Sequence, residues 1–172
     1  MTVATSTPMQ IERHTSVPGP PERAFALVDD LGVYPTWMDL VHDVEEVDPT
    51  GALRTWNVEL QAQVGPFARS KRLRMVRVVH DQERRVVFER AEVDGKRHSP
   101  WILSAALDPE SSEESGPAGA MTRLTMTRLT MTLTYGGNLW TGAVLQRVLD
   151  DHVERGAAAL SALLSEPGAA NT

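Results

Sequence analysis

Over residues 54–64 apolar and polar positions alternate without a break. Trp56, Val58, Leu60, Ala62 and Val64 fall on one side and Thr55, Asn57, Glu59, Gln61 and Gln63 on the other, the pattern of a strand with one face buried and one face wet. The same period of two dominates from about residue 41 to residue 135. Turn-forming runs interrupt it at Asp48-Pro49-Thr50-Gly51, Gly65-Pro66, residues 80–83 and Asp94-Gly95, so the middle of the chain predicts successive antiparallel strands. Before it, residues 10–17 alternate loosely and stop at Pro18-Gly19-Pro20-Pro21, which can end a strand and place proline in the first turn of a helix. Phe25, Val28 and Leu31 then recur at helical spacing over residues 22–31, Tyr34-Pro35 closes that helix, and residues 36–40 can make one more short turn. After the strands, Gly136-Gly137-Asn138 breaks the pattern and residues 141–164 take up a helical one.

At about 100° per residue, Leu145, Val148, Leu149, His152, Gly156, Leu160 and Leu163 form one stripe of this last helix, with Arg147, Asp150, Asp151 and Glu154 opposite. A stripe that wide needs a large apolar partner, and the only one available is the sheet. The helix is therefore expected to lie across the concave face.

Three stretches leave the pattern ambiguous. Residues 122–132 contain RLTMT twice, and because the repeat has five residues the two copies present opposite faces. Either a bulge intervenes or one copy is exposed; Leu129, Met131, Leu133 and Tyr135 make the cleaner alternation and are expected inside. In the strand beginning at Trp101, that residue with Leu103, Ala105 and Leu107 competes for the inner face with Ile102, Ser104 and Ala106, and bulk favours the tryptophan set. Residues 109–119, PESSEESGPAG, are polar and acidic enough to predict a flexible loop.

Composition narrows the function without identifying it. The chain has 172 residues, 41% of them hydrophobic, enough for one well-cored domain over residues 10–165 with flexible termini at 1–9 and 166–172. With 23 acids against 17 bases the formal net charge is -6, which gives no basic surplus for nucleic acid. No apolar run is long enough to insert stably in a membrane, and the first ten residues lack the pattern of a signal peptide, so a cytoplasmic location is expected. Without cysteine there is no disulfide, thiolate nucleophile or cysteine-ligated metal. His14, His42, His80, His98 and His152 show no metal-ligand spacing, and neither a phosphate loop nor a nucleophile motif occurs; we expect no bound metal and no cofactor. Oligomeric state is left open.

The order strand, two short helices, a run of antiparallel strands and one long terminal helix resembles the α+β helix-grip (START-like) fold, a curved antiparallel sheet wrapped around a C-terminal helix. The segments that carry the likeness are VPGPPERAFALVDDLGVYPTWMDLVHDVEEVD, RVVFER and LTMTLTYGG with the helix after it. They resemble the SRPBCC group, which includes polyketide cyclase/dehydrase and coenzyme Q-binding START-type proteins. The resemblance implies an internal cavity for a hydrophobic small molecule such as a lipid, quinone or polyketide. In aromatase/cyclase relatives a cavity-facing arginine near the end of the fourth strand orients the ligand, and Arg77 is the nearest match. A tyrosine can follow the second short helix in those relatives; here the sequence is Leu40-Val41-His42.

Leu73, Met75, Arg77 and Val79 share one strand face, which puts Arg77 at the cavity wall if the apolar residues face inward. An inward arginine then implies a carboxylate, a ligand anion or a water as partner. His152 is the one ionisable group in the middle of the helix stripe, where it is either an ordinary buried histidine or a proton donor and acceptor in the cavity. Gly156 gives up about 1 kcal/mol of helix propensity relative to alanine, offset by close packing or by room for a ligand. Trp37, Trp56 and Trp101 add ring surface. Arg69, Lys71, Arg72 and Arg74 spread over both strand faces and predict a solvated strand surface. The candidate lining is thus Trp37, Trp56, Val58, Met75, Arg77, Trp101, Met131, Leu145, His152 and Gly156. Non-catalytic binding is the leading expectation. The alternative is an aromatase/cyclase-type enzyme in which Arg77 and His152 converge on the ligand, and the third possibility is an interaction module with a filled core.

Overall fold

The computed structural model describes residues 7–48, 51–117, 119, 121–136 and 143–166. The expectations for most of the two termini and for the Gly137-Asn138 break lie outside these residues. Seven strands, β1 (Met9–Pro18), β2 (Val41–Glu46), β3 (Thr55–Val64), β4 (Phe67–Asp81), β5 (Arg85–Arg90), β6 (Trp101–Ser115) and β7 (Met121–Tyr135), form one antiparallel sheet in the order β1-β7-β6-β5-β4-β3-β2. Helix α1 (Pro21–Val28) and a 3-10 helix (Leu31–Thr36) follow β1, and helix α2 (Ala143–Ser165) comes last. Helix α2 packs on both β1 and β3, which stand near opposite ends of the strand order, so it crosses the curled sheet's inner face as its stripe requires.

Alternation sets the inner face. On β7 Leu129, Met131, Leu133 and Tyr135 are buried, and on β6 Trp101, Ala105 and Leu107 are buried with Leu103 packed against the core. Pairing between β6 and β7 runs without a register shift from Trp101–Tyr135 to Ser115–Met121. The repeat is therefore resolved without a bulge: Leu124 of the first copy lies at the surface and Thr127 at its end is buried. That pairing also corrects the loop expected over residues 109–119: strand structure continues to Ser115. Pro109 is tolerated because β5 ends opposite Ala106, leaving that side of β6 without a ladder to break.

Two further corrections follow from local geometry. A bulge between Arg77 and Val79 inserts a residue opposite β5, so Val79 turns to the outer side and His80 takes the inner parity, stacking on Phe25 with ring centroids 5.4 Å apart. On α2 the buried positions among the described residues are Leu149, His152, Val153, Gly156, Ala157, Leu160 and Leu164, while Leu163 is 38% exposed against 4% for Leu164. Leu149, His152, Gly156 and Leu160 keep the expected stripe, and the buried face extends from it over Val153, Ala157 and Leu164 in place of Leu163.

The short helices also start and stop differently from expectation. Pro20 and Pro21 begin α1, which ends at Val28. Asp30 then accepts a hydrogen bond from the Gly32 N–H at 2.8 Å and starts the 3-10 helix at Leu31, several residues ahead of the turn expected over 36–40. The last carbonyls of so short a helix have no partners within it, and side chains from elsewhere supply them. Trp37 Nε1 donates to Leu27 O at 3.0 Å, Tyr34 Oη to Val28 O at 2.9 Å, and Arg77 Nη1 to Asp29 O at 3.0 Å. Burial pushes the Tyr34 phenol far above its ordinary range, with Asp29 and Asp30 adding to the effect; it stays a neutral donor.

Candidate functional site

Between the inner face and the short-helix segment lies an entirely apolar cavity of about 40 Å³. One wall is sheet: Val58 and Leu60 from β3, Leu73 and Met75 from β4, Trp101 and Leu103 from β6, and Leu133 from β7. The opposite wall is Leu31, Met38, Leu40 and Val41 with Val153 of α2. Strand alternation delivers the first group, since each residue shares the inward parity of its strand. Such a volume admits little more than a water molecule, and among the described residues no polar side chain lines it to hold one.

The expected lining residues divide into two groups. Val58, Met75 and Trp101 do line the cavity. Trp56 and Met131 are buried in the adjoining core, Trp56 edge-on to Phe88 at 5.5 Å and 76°. Trp37 and Gly156 meet at the back of the Met38 side chain, where a Cβ added to Gly156 would sit 3.3 Å from Met38 Cε and 3.4 Å from Trp37 Cζ3. Close packing thus accounts for the glycine, and the contact comes from the short-helix segment rather than from a strand. The Leu145 side chain lies outside the described residues.

Arg77 and His152 do not converge. Arg77 is 14% exposed, but its guanidinium is held at the C-terminus of α1, hydrogen-bonded to the Asp29 carbonyl and 3.9 Å from the Asp29 carboxylate. It is not among the residues that line the cavity. Burial, and next the charge of Arg54, lower its pKa, and Asp29 and Asp30 oppose the shift. The carboxylate partner that an inward arginine needs is supplied by the protein itself. Arg77→Met is accordingly expected to cost about 1–2 kcal/mol by freeing a helix-terminal carbonyl and removing a favourable charge there. Urea unfolding would register that loss while the affinity for an apolar probe stays unchanged.

The His152 ring is 9% exposed, with Nδ1 2.6 Å from Asp39 Oδ1; Arg155 Nη2 lies 3.4 Å from the other Asp39 oxygen. Because a carboxylate oxygen only accepts, Nδ1 is the donor to Asp39, and Arg155 Nη2 lies 3.1 Å from the same nitrogen. This arrangement orients an imidazole and fastens α2 to the turn before β2. Neither member of the pair lines the cavity.

Of the cavity-lining residues outside the candidate set, Leu60, Leu73, Leu103 and Leu133 sit on strand faces that alternation turned inward, whereas the sequence singled out neither the short-helix wall, Leu31, Met38, Leu40 and Val41, nor Val153. Instead of joining a solvated basic surface, Lys71 takes the same parity on β4 as Leu73 and Met75, opposite Leu60, and its Nζ sits 5.1 Å from the Trp101 ring centroid. Burial lowers its pKa, Arg90 adds to the lowering and Glu92 opposes it. Among the described residues no group of three or more His, Asp or Glu side chains could hold a metal ion, and no helix is long and apolar enough to cross a membrane.

Comparison with known proteins places this architecture. A family model described as polyketide cyclase / dehydrase and lipid transport matches residues 17–161. A START superfamily protein from Mycobacterium smegmatis superposes with a TM-score of 0.64 at 14% identity, covering 90% of this chain and 96% of that one. TTHA0849 from Thermus thermophilus gives 0.64 at 21% identity, covering 91% and 97%. The Zhui aromatase/cyclase from Streptomyces gives 0.60 at 12% identity, covering 91% and 93%. At these identities the likeness concerns the fold. No curated protein matches the chain with significant sequence similarity.

Proposed function

The chain belongs to the polyketide cyclase / dehydrase and lipid transport family, and from that premise we propose that it binds a hydrophobic small molecule, of lipid, quinone or polyketide type, between the sheet and α2. The observation that carries this reading is the wholly apolar cavity between Met75 and Trp101 on one side and Met38 and Val153 on the other. Filled drug-sized sites usually measure about 300–1,000 Å³, so the space of about 40 Å³ is a closed form that must widen as the ligand enters. Met38 and Met75 suit this, because unbranched thioether side chains change rotamer at little cost. The gain is the removal of ligand apolar surface from water, about 25 cal/mol per Å².

A catalytic role is less well supported, because the acid–base reading required Arg77 and His152 to face one ligand. Arg77 is engaged at Asp29 and His152 at Asp39. Native mass spectrometry of protein purified from its own host, followed by titration of the delipidated protein with N-phenylnaphthylamine, tests the proposal. We expect a co-purifying apolar mass and a saturable rise in probe emission, with a negative heat-capacity change of binding. An unladen protein that gives no saturable binding would overturn it.

A further inference from the structure

A lysine follows the cavity-lining residues of β4, itself outside that lining. Moving along β4 from Met75 through Leu73, both cavity-lining, the next inward position is Lys71, whose cross-strand partner Leu60 also lines the cavity. Its ammonium lies over the Trp101 ring, another part of the same wall. Arg90 stands opposite Met75 on β5, and directly paired residues share a face, so a second cation lies on the inner parity beside the cavity-lining Met75. The Arg90 side chain is 10% exposed and already committed: Nε donates to Glu92 Oε1 at 2.8 Å, Nη1 to Ser99 O at 3.3 Å, and Nη2 lies 3.1 Å from His98 Nδ1. The same Glu92 oxygen accepts the Arg74 backbone N–H at 3.2 Å.

We propose that Lys71 holds the carboxylate of an amphipathic acid whose apolar part occupies the cavity. The assignment rests on the binding reading above and adds the chemistry of the ligand's polar end. A carboxylate at this place meets an ammonium that is partly desolvated and repelled by Arg90, and its negative charge relieves both penalties. Its apolar portion then runs along Leu73 and Met75 toward Met38. Lysine on a flexible four-carbon stem can follow the headgroup as the cavity widens, whereas the Arg90 guanidinium is fixed by its three partners.

Isothermal titration of the full chain with decanoate and decanol, and with naphthoate and naphthalenemethanol, tests the assignment and separates an extended chain from a flat ring system as the apolar part. In the unmodified protein we expect at least one acid to bind roughly tenfold more tightly than its alcohol. Lys71→Met should remove that preference and leave the alcohol's affinity unchanged, Lys71→Arg should restore most of it, and Arg77→Met should not affect it. Thermal unfolding checks that each variant is folded, and Lys71→Met, which deletes a desolvated cation, is expected to melt no lower than the parent. Binding of the alcohols with no preference for acids, or a preference that survives Lys71→Met, overturns the role of Lys71 and leaves the binding reading intact. Failure of all four probes overturns both.

Discussion

Trp56→Ala is expected to lower the free energy of unfolding by about 3–5 kcal/mol, measured by urea denaturation. Trp56 is 1% exposed, faces Phe88 edge-on and carries the Arg54 guanidinium 4.8 Å above its ring. Two losses add in the variant. Cation–π contact at a partly exposed site contributes about 0.5–1 kcal/mol, whereas deleting a buried indole forfeits its transfer energy and leaves a void between β3 and β5, so the packing loss dominates. Arg54 loses its platform as well; it bonds Glu46 at 2.7 Å and Asp30 at 2.9 Å, tying β2 to the start of the 3-10 helix. Trp56→Phe should recover most of the stability, because a smaller ring still packs on Phe88. A cost below about 1 kcal/mol for the alanine variant would mean that Trp56 is less tightly packed than its burial implies.

Gly156→Phe is expected to lower the affinity for N-phenylnaphthylamine by more than about tenfold and to cost roughly 1–3 kcal/mol of stability by overpacking. At this position a Cβ meets the end of Met38 and the Trp37 ring. Met38 is the neighbour that can yield, and the direction open to it is the cavity it already lines, so a large side chain drives the methionine into the ligand's space. Trp37 cannot follow without breaking its bond to the Leu27 carbonyl. Gly156→Ala controls for the helix itself: it gains about 1 kcal/mol of propensity against a contact that needs only a small shift of Met38, and should bind the probe normally. Unchanged affinity in a folded Gly156→Phe protein would place the ligand elsewhere.

What the sequence made legible, and what it did not, divides by range. Wherever one strand face is buried and the other wet, a one-residue slip is costly; the face of β3 follows directly from alternation, that of β7 from its longer clean run, and that of β6 from bulk. The same parity argument covered Lys71, but its neighbours Arg69, Arg72 and Arg74 made it look like part of a solvated ladder. Residues 109–115 have the composition of a disordered loop and are strand because β7 is long enough to pair with them. Alternation turns Arg77 inward, but its partner is a carbonyl 48 residues away. Asp39 and His152 are 113 residues apart, and no period relates them. Local pattern fixed where side chains point; which polar groups they meet depended on how α1 and the turn before β2 dock on the sheet.

The strand order carries a consequence for how the chain assembles. Each neighbouring pair from β2 to β7 is consecutive in sequence, yet the one sheet neighbour of β1 is β7, which places Met9 beside Tyr135, 126 residues downstream. During synthesis the meander from β2 through β6 can form by short loop closures, but β1 waits until the seventh strand has emerged, and α2 packs on β1. Loop-closure entropy for such remote pairing is met late and slows folding toward the millisecond-to-second range of other high-contact-order topologies. Until it is met, the edge of β7 that β1 will cover presents unpaired backbone groups, a template for association between nascent chains.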